Sequence, residues 1–396
     1  MKIELTTFET SVEVRDDALV QLQRSVSPRS PIDPVEAIRS ALNNPIGFPA
    51  LNRALTPDDR IVVVVDDRLP EPKVLVGELL HYLGEVGIVP ECITLLSAAG
   101  SRQQWVDDLP DVWQDVRTEI HDPTDRKRLS YLATTRQGRR LYLNRTLIDA
   151  DQVVVLTGCR FDVRLGYVGG AASLFPAFSN SETLQQLADV PATKKGGESP
   201  IESEAEEVAW LLGAPFFVQV VPGAVGSIMH VIGGTAATFA EAQKRCSDLW
   251  RFRIERMPHT IVVPLTAEPA IQDFPMIADA ALNAARIVEP EGRIIILSQA
   301  NPDLDDAWLL LRDTDNPAVA ARRVQERQPA GGRVAQTWLE AAQRANLYLL
   351  SRLPDDVVEE LFATPLQDAR QVQRLVDAAP SCLVLPDAHM ALTVLE

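Results

Sequence analysis

The residues best equipped for chemistry lie in four short segments. Asp66 and Arg68, and likewise Asp162 and Arg164, each set a carboxylate two positions from a guanidinium. Such a pair can bind a polar small molecule or carry modest acid-base chemistry, and it serves equally well as a structural ion pair. Ser101 and Arg102 follow Gly100 and bring a hydroxyl and a cation. Gly166, Tyr167, Gly169 and Gly170 form a glycine-rich turn in which the backbone can approach a ligand or open a helix beneath an anion. Tight packing of a turn explains the same glycines, and neither a GxGxxG nor a GxxxxGK spacing occurs in the chain.

Metal and thiol chemistry have less to build on. The five histidines, His81, His121, His230, His259 and His389, fall in helical, apolar-strand or loop contexts, and none is spaced as a ligand pair. They read as structural. Cys92, Cys159, Cys246 and Cys382 are far apart, without a CxxC pair, and read as reduced thiols. Lys194 and Lys195 stand in the polar stretch 191–207, which reads as an exposed loop running into an acidic helix start.

The elements that must position these groups are legible from hydrophobic pattern. Ile61–Val65 is an unbroken aliphatic run ending at Asp66, followed by a helical pattern from Val74 to about Gly87. Ile93–Leu96 ends in the small residues that lead to Ser101, and Val153–Leu156 ends in Thr157–Gly158. Ligands of open α/β sheets bind outside the carboxyl ends of strands, so these three loops mark the expected site. Phe216–Val221 and Ser227–Ile232 read as strands around a Pro-Gly turn, then a helix capped by Thr235 and ending near Trp250. From Arg256 the pattern restarts: strand Thr260–Leu265, helix Met276–Val288, strand Ile294–Ser298, then helices alternating with strands at Leu347–Leu350 and Cys382–Leu385. The expected fold is α/β, with two α/β domains, 1–255 and 256–396, whose mostly parallel sheets are flanked by helices, and a cleft between the domains.

Composition narrows the partners. With 38 basic residues against 55 acidic ones the formal charge is −17, which repels a phosphate backbone, so no nucleic-acid partner is expected. Arg126, Lys127 and Arg128, with Arg136, Arg139 and Arg140 nearby, read as solvated loop charge or as a small anion-attracting surface. No apolar run approaches a membrane span, and the alternating start MKIELTTFETSVEV reads as a strand and not a signal peptide, which implies a cytoplasmic protein.

Several segments taken together resemble the nickel-dependent lactate racemase family: 132–158 with its Tyr142–Leu143–Asn144–Arg145 block, the GYVGG turn with Pro176 after it, and 281–298. The resemblance spans most of the chain. It implies a nickel-pincer nucleotide tethered to a lysine, histidines as acid and base, and racemisation or epimerisation of a 2-hydroxy acid. Position by position, Asp66, Pro70 and Pro72 keep the family's first loop while Leu69 takes its arginine place. Ser101 stands at the catalytic histidine, Asp162 at the second histidine and Ala172 at the tethering lysine, and 184–198 contains no histidine to ligate nickel. Pro275, Met276 and Asp279 replace the substrate-contacting Tyr, Gln and Lys. The expectation is therefore a homologue without nickel-pincer chemistry, with no cofactor and no metal site, keeping a cleft for a small anionic or hydroxy-acid ligand. The alternative is an isomerase of a 2-hydroxy acid or sugar acid with a rebuilt site, with Ser101 and Asp162 as its catalytic candidates.

Overall fold

The computed structural model describes residues 2–5, 10–24, 30–101, 103, 105–188, 201–269, 272–302, 304, 306–312, 314–329 and 331–396. By contact the chain forms two compact units. A central unit comprises Pro28–Arg160 and Arg164–Ser247, and a terminal unit comprises Met1–Ser27, Phe161–Val163 and Asp248–Glu396. The first 27 residues thus belong with the second half of the chain. Ala18, Leu19 and Val20 bracket Cys382 with two backbone hydrogen bonds of 2.8 Å, and Val12 and Val14 enter a core with Val262 and Ile295.

The central unit is built on a six-stranded sheet of β1 (Ile61–Val65), β2 (Ile93–Ser97), β3 (Arg117–Ile120), β4 (Gln152–Gly158), β5 (Phe216–Pro222) and β6 (Ile228–Gly234). Its order is β6-β5-β4-β1-β2-β3, parallel except for the β5–β6 hairpin. The five branched aliphatics of β1 are all buried, as a central strand covered on both faces requires. Alternation divides them: Ile61, Val63 and Val65 join one core, and Val62 and Val64 the other.

Helix α1 (Pro34–Asn43) and helix α2 (Pro72–Val86) pack on the first face. In α2, Leu75, Leu79 and Leu83 recur at helical spacing and are fully buried, and Gly87 ends the helix in the left-handed region at φ +95°. The other face takes the inner side of a hairpin, Leu129–Thr134 with Arg140–Asn144, through Leu141 and Leu143, together with α3 (Ser181–Ala188) and α4 (Glu202–Leu211). Helix α5 (Thr238–Trp250) begins three residues after the cap expected at Thr235, because Thr238 turns back to donate its hydroxyl to the Thr235 carbonyl.

In the terminal unit β7 (Thr260–Pro264), β8 (Arg293–Leu297), β9 (Asn346–Leu350), β10 (Ala363–Leu366) and β11 (Cys382–Val384) form a wholly parallel sheet in the order β10-β9-β8-β7-β11. Helix α6 (Phe274–Ala285) is buried almost all round, with Phe274 packed 3.9 Å, centroid to centroid, from Trp308. The strand Arg251–Ile254 pairs with Gln23–Arg24 and with Leu392–Leu395 in a small separate sheet.

Candidate functional site

In the central sheet the chain runs outward from β1 to β2 and β3, then returns to place β4 on the other side of β1. This reversal sets the carboxyl ends of β1 and β4 side by side at a topological switch point, the place where open α/β sheets hold their ligands. Asp66 leaves β1 there, and Gly158 and Arg160 leave β4. The Asp66 carboxylate accepts from Arg160 Nη1 at 2.7 Å, from the Gly158 N–H at 3.2 Å and from the Arg68 N–H at 3.0 Å. Burial alone would raise its pKa, but the Arg160 charge and these hydrogen bonds outweigh it and hold the carboxyl below its ordinary value. The pair is partly open to solvent, with side-chain exposures of 23% for Arg160 and 19% for Asp66.

The next residue organises the loop after β2. Asp67 accepts a very short hydrogen bond from Ser101 Oγ through one oxygen, and one of 3.3 Å from Trp105 Nε1 through the other. Ser101 Oγ in turn accepts from the Gln103 N–H at 3.3 Å. The Gln103 amide anchors the loop by donating to Ser97 Oγ and the Glu119 carbonyl, each at 3.1 Å. With its proton directed to Asp67, the Ser101 hydroxyl is an acceptor toward anything else that reaches it.

The glycine turn has a packing explanation. Gly169 and Gly170 sit at φ +134° and +54°, and a Cβ at either would lie within 2.8 Å of the Phe239 ring. The group that approaches this backbone closely is thus an aromatic ring of α5. Gln219 on β5, fully buried, accepts from the Gly170 N–H at 3.3 Å, while its Nε2 has no hydrogen-bond partner among the described residues. Gly166 is buried at φ +78°, and Tyr167 beside it is half-buried.

The other candidates fall as follows. Asp162 belongs to the terminal unit, where it pairs with Arg333 at 3.2 Å. Arg164 is half-buried and Arg68 exposed; Leu69, at the family's arginine position, is in the core. Ala172 is half-buried. Arg102, Lys194 and Lys195 lie outside the described residues. His121 is buried: Nδ1 faces the Asn144 amide at 3.4 Å and Nε2 meets the Ser179 carbonyl at 2.9 Å, and burial lowers its pKa, so it sits as a neutral structural ring. Among the described residues no group of three or more His, Cys, Asp or Glu is arranged to hold a metal ion. The sequence reading passed over Arg160, Asp67, Trp105, Gln219 and Phe239. Only the Asp66–Asp67 doublet and the place of Arg160 just past β4 gave a local signal for any of them.

The terminal sheet has the same reversal, between β7 and β11, and fills it differently. Asp387, buried and left-handed at φ +49°, accepts from the Thr266 N–H at 2.8 Å and from its hydroxyl. Gln272, also buried, donates to the Ala267 carbonyl at 2.6 Å and accepts from Ser298 Oγ at 2.8 Å and the Gln299 N–H at 3.0 Å.

Residues 6–194 match the model of the lactate racemase N-terminal domain. Among solved structures, the lactate racemase apoprotein of Thermoanaerobacterium thermosaccharolyticum superposes with a TM-score of 0.79 at 15% identity, covering 100% of this chain and 99% of that one. A protein from Thermotoga maritima gives a TM-score of 0.66 at 14% identity, over 93% of this chain and 100% of its own. No curated protein matches the sequence. At these identities the superpositions establish a shared α/β fold, and the sequence match identifies residues 6–194 as a lactate racemase N-terminal domain.

Proposed function

We propose that this chain does not perform nickel-pincer racemisation and instead binds a small polar anion, of the hydroxy-acid class, beyond the carboxyl ends of β1 and β4. The observation that carries the reading is the Asp66–Arg160 pair, which sets a partly exposed guanidinium at the reversal point of the sheet. Arginine is suited to a ligand carboxylate because its planar fork offers paired donors. Asp66 orients that guanidinium by accepting from its Nη1 at 2.7 Å, and the carboxylate beside it suits a ligand that also carries a hydroxyl. The residues at the glycine turn do not fit a lysine-tethered cofactor: Ala172 has no amine, and Phe239 packs over Gly169 and Gly170. A cytoplasmic location belongs to the same reading and is supported by free, largely buried cysteines. Among the described residues no helix is long and apolar enough to cross a membrane.

The test is direct. Purified protein offered nickel and the pincer cofactor is expected to retain no stoichiometric nickel by elemental analysis. In a thermal-shift screen of hydroxy and sugar acids at least one ligand should raise the melting temperature of the wild type and not of Arg160→Gln. Stoichiometric nickel, or a ligand response that survives Arg160→Gln, refutes the reading.

The hydrogen bond from Ser101 to Asp67 favours a second reading, an isomerase with a rebuilt site. A hydroxyl polarised by a carboxylate can accept a substrate proton as Asp67 takes up its own. Racemisation or epimerisation of a hydroxy acid, abolished in Ser101→Ala, would establish it over simple binding.

A further inference from the structure

The hairpin Leu129–Thr134 with Arg140–Asn144 turns one side to the core and the other to solvent. On the outer side Tyr131 and Tyr142 are directly opposite in register, with ring centroids 5.7 Å apart, and they remain 52% and 38% exposed. Basic residues flank the rings at both ends. The turn Arg126–Arg128 leads into the first strand, and Arg145 follows the second, donating to Ser130 Oγ at 3.0 Å. Arg140 opens the second strand opposite Thr134.

The charge pattern of this region departs from that of the whole chain. Seven basic residues and no acidic one occur from 126 to 148, so all 55 acidic residues lie elsewhere. Arg139 and Arg136 are engaged by Glu204 and Glu207, and Arg128 stands 3.6 Å from Asp125. Arg126, Lys127 and Arg140 have no ion pair among the described residues. Exposed tyrosines framed by cations are costly to leave in water and have the composition of interface centres.

We propose that the outer face of this hairpin docks a short acidic segment of a partner protein, with carboxylates at its ends and an apolar residue over the tyrosine pair. The strip is about 15–20 Å long, the span of some five extended residues. A short segment ends where the strip ends. A nucleic-acid strand would continue past it into the field of a chain carrying −17, and the two rings, tilted 59° against each other, form one joint platform and not two parallel stacking faces.

The test screens a random-peptide phage library against the full chain, against Tyr131→Ser/Tyr142→Ser and against Arg126→Glu/Lys127→Glu/Arg140→Glu, with melting temperatures confirming that all three are folded. Selected peptides should carry acidic residues around an apolar centre. By fluorescence anisotropy, either variant should weaken their binding by about tenfold or more, and so should raised salt. The proposal is overturned if no peptide is enriched over the variants, if the selected peptides bind all three proteins equally, or if a labelled thymidine oligonucleotide binds the strip more tightly than they do.

Discussion

The two parallel sheets reverse direction in the same way and put that geometry to opposite uses. In the terminal unit the reversal point is closed chemically: Asp387 is committed to Thr266, and Gln272 bonds on both sides of its amide. In the central unit Asp66 and Arg160 face each other with solvent access, and among the described residues Gln219 bonds through its oxygen alone. Topology fixes where a site can form, while the exposure of the polar groups gathered there differs between the two units.

Four substitutions probe that contrast. The largest effect is expected for Phe239→Ala, which removes the ring packed on Gly169 and Gly170 and should destabilise the protein by about 3–5 kcal/mol in denaturant unfolding. A loss below about 1 kcal/mol would mean that the ring does not hold the turn. Next come the two buried glutamines. Gln272→Met removes the acceptor of the Ser298 hydroxyl and the Gln299 N–H and should cost about 2–3 kcal/mol, whereas Gln219→Met removes one long hydrogen bond together with a donor unpaired among the described residues and should stay within about 1 kcal/mol of the wild type. Equal costs would erase the distinction between the two reversal points.

The most informative is Arg160→Gln, with an expected loss of about 1–2 kcal/mol at neutral pH. Because the folded pKa of Asp66 is depressed, the stability it contributes is complete above its unfolded value, about 4, and disappears as pH falls through the folded value. The gap between wild type and variant should therefore be widest at neutral pH and close in strong acid. A gap that does not change with pH would show that Arg160 acts through packing and not charge.

What could be read in advance followed the range of the signal. Ile61–Val65, Ile93–Ser97 and the helix before Gly87 are written in local hydrophobic pattern, and so is the gathering of the loops at the strand ends. The hairpin at 129–144 escaped because its outward residues, Tyr131, Tyr142 and Arg140, interrupt the apolar pattern with bulk and charge. Arg160 with Asp66, and Phe239 on Gly169, join residues far apart in sequence, and neither partner's neighbours announce the other. The glycine turn was open to a ligand or to tight packing, and only the position of Phe239 distinguishes the two.

The discontinuity of the terminal unit bears on how the chain is made. Glu13 finds its partner Gln373 some 360 positions later, so the first strands leave the ribosome long before the sheet they complete exists. The central unit, continuous but for three residues, can collapse in the interval. Until the last helices emerge, Val12 and Val14 must wait exposed, which makes the early nascent chain a natural client for a chaperone.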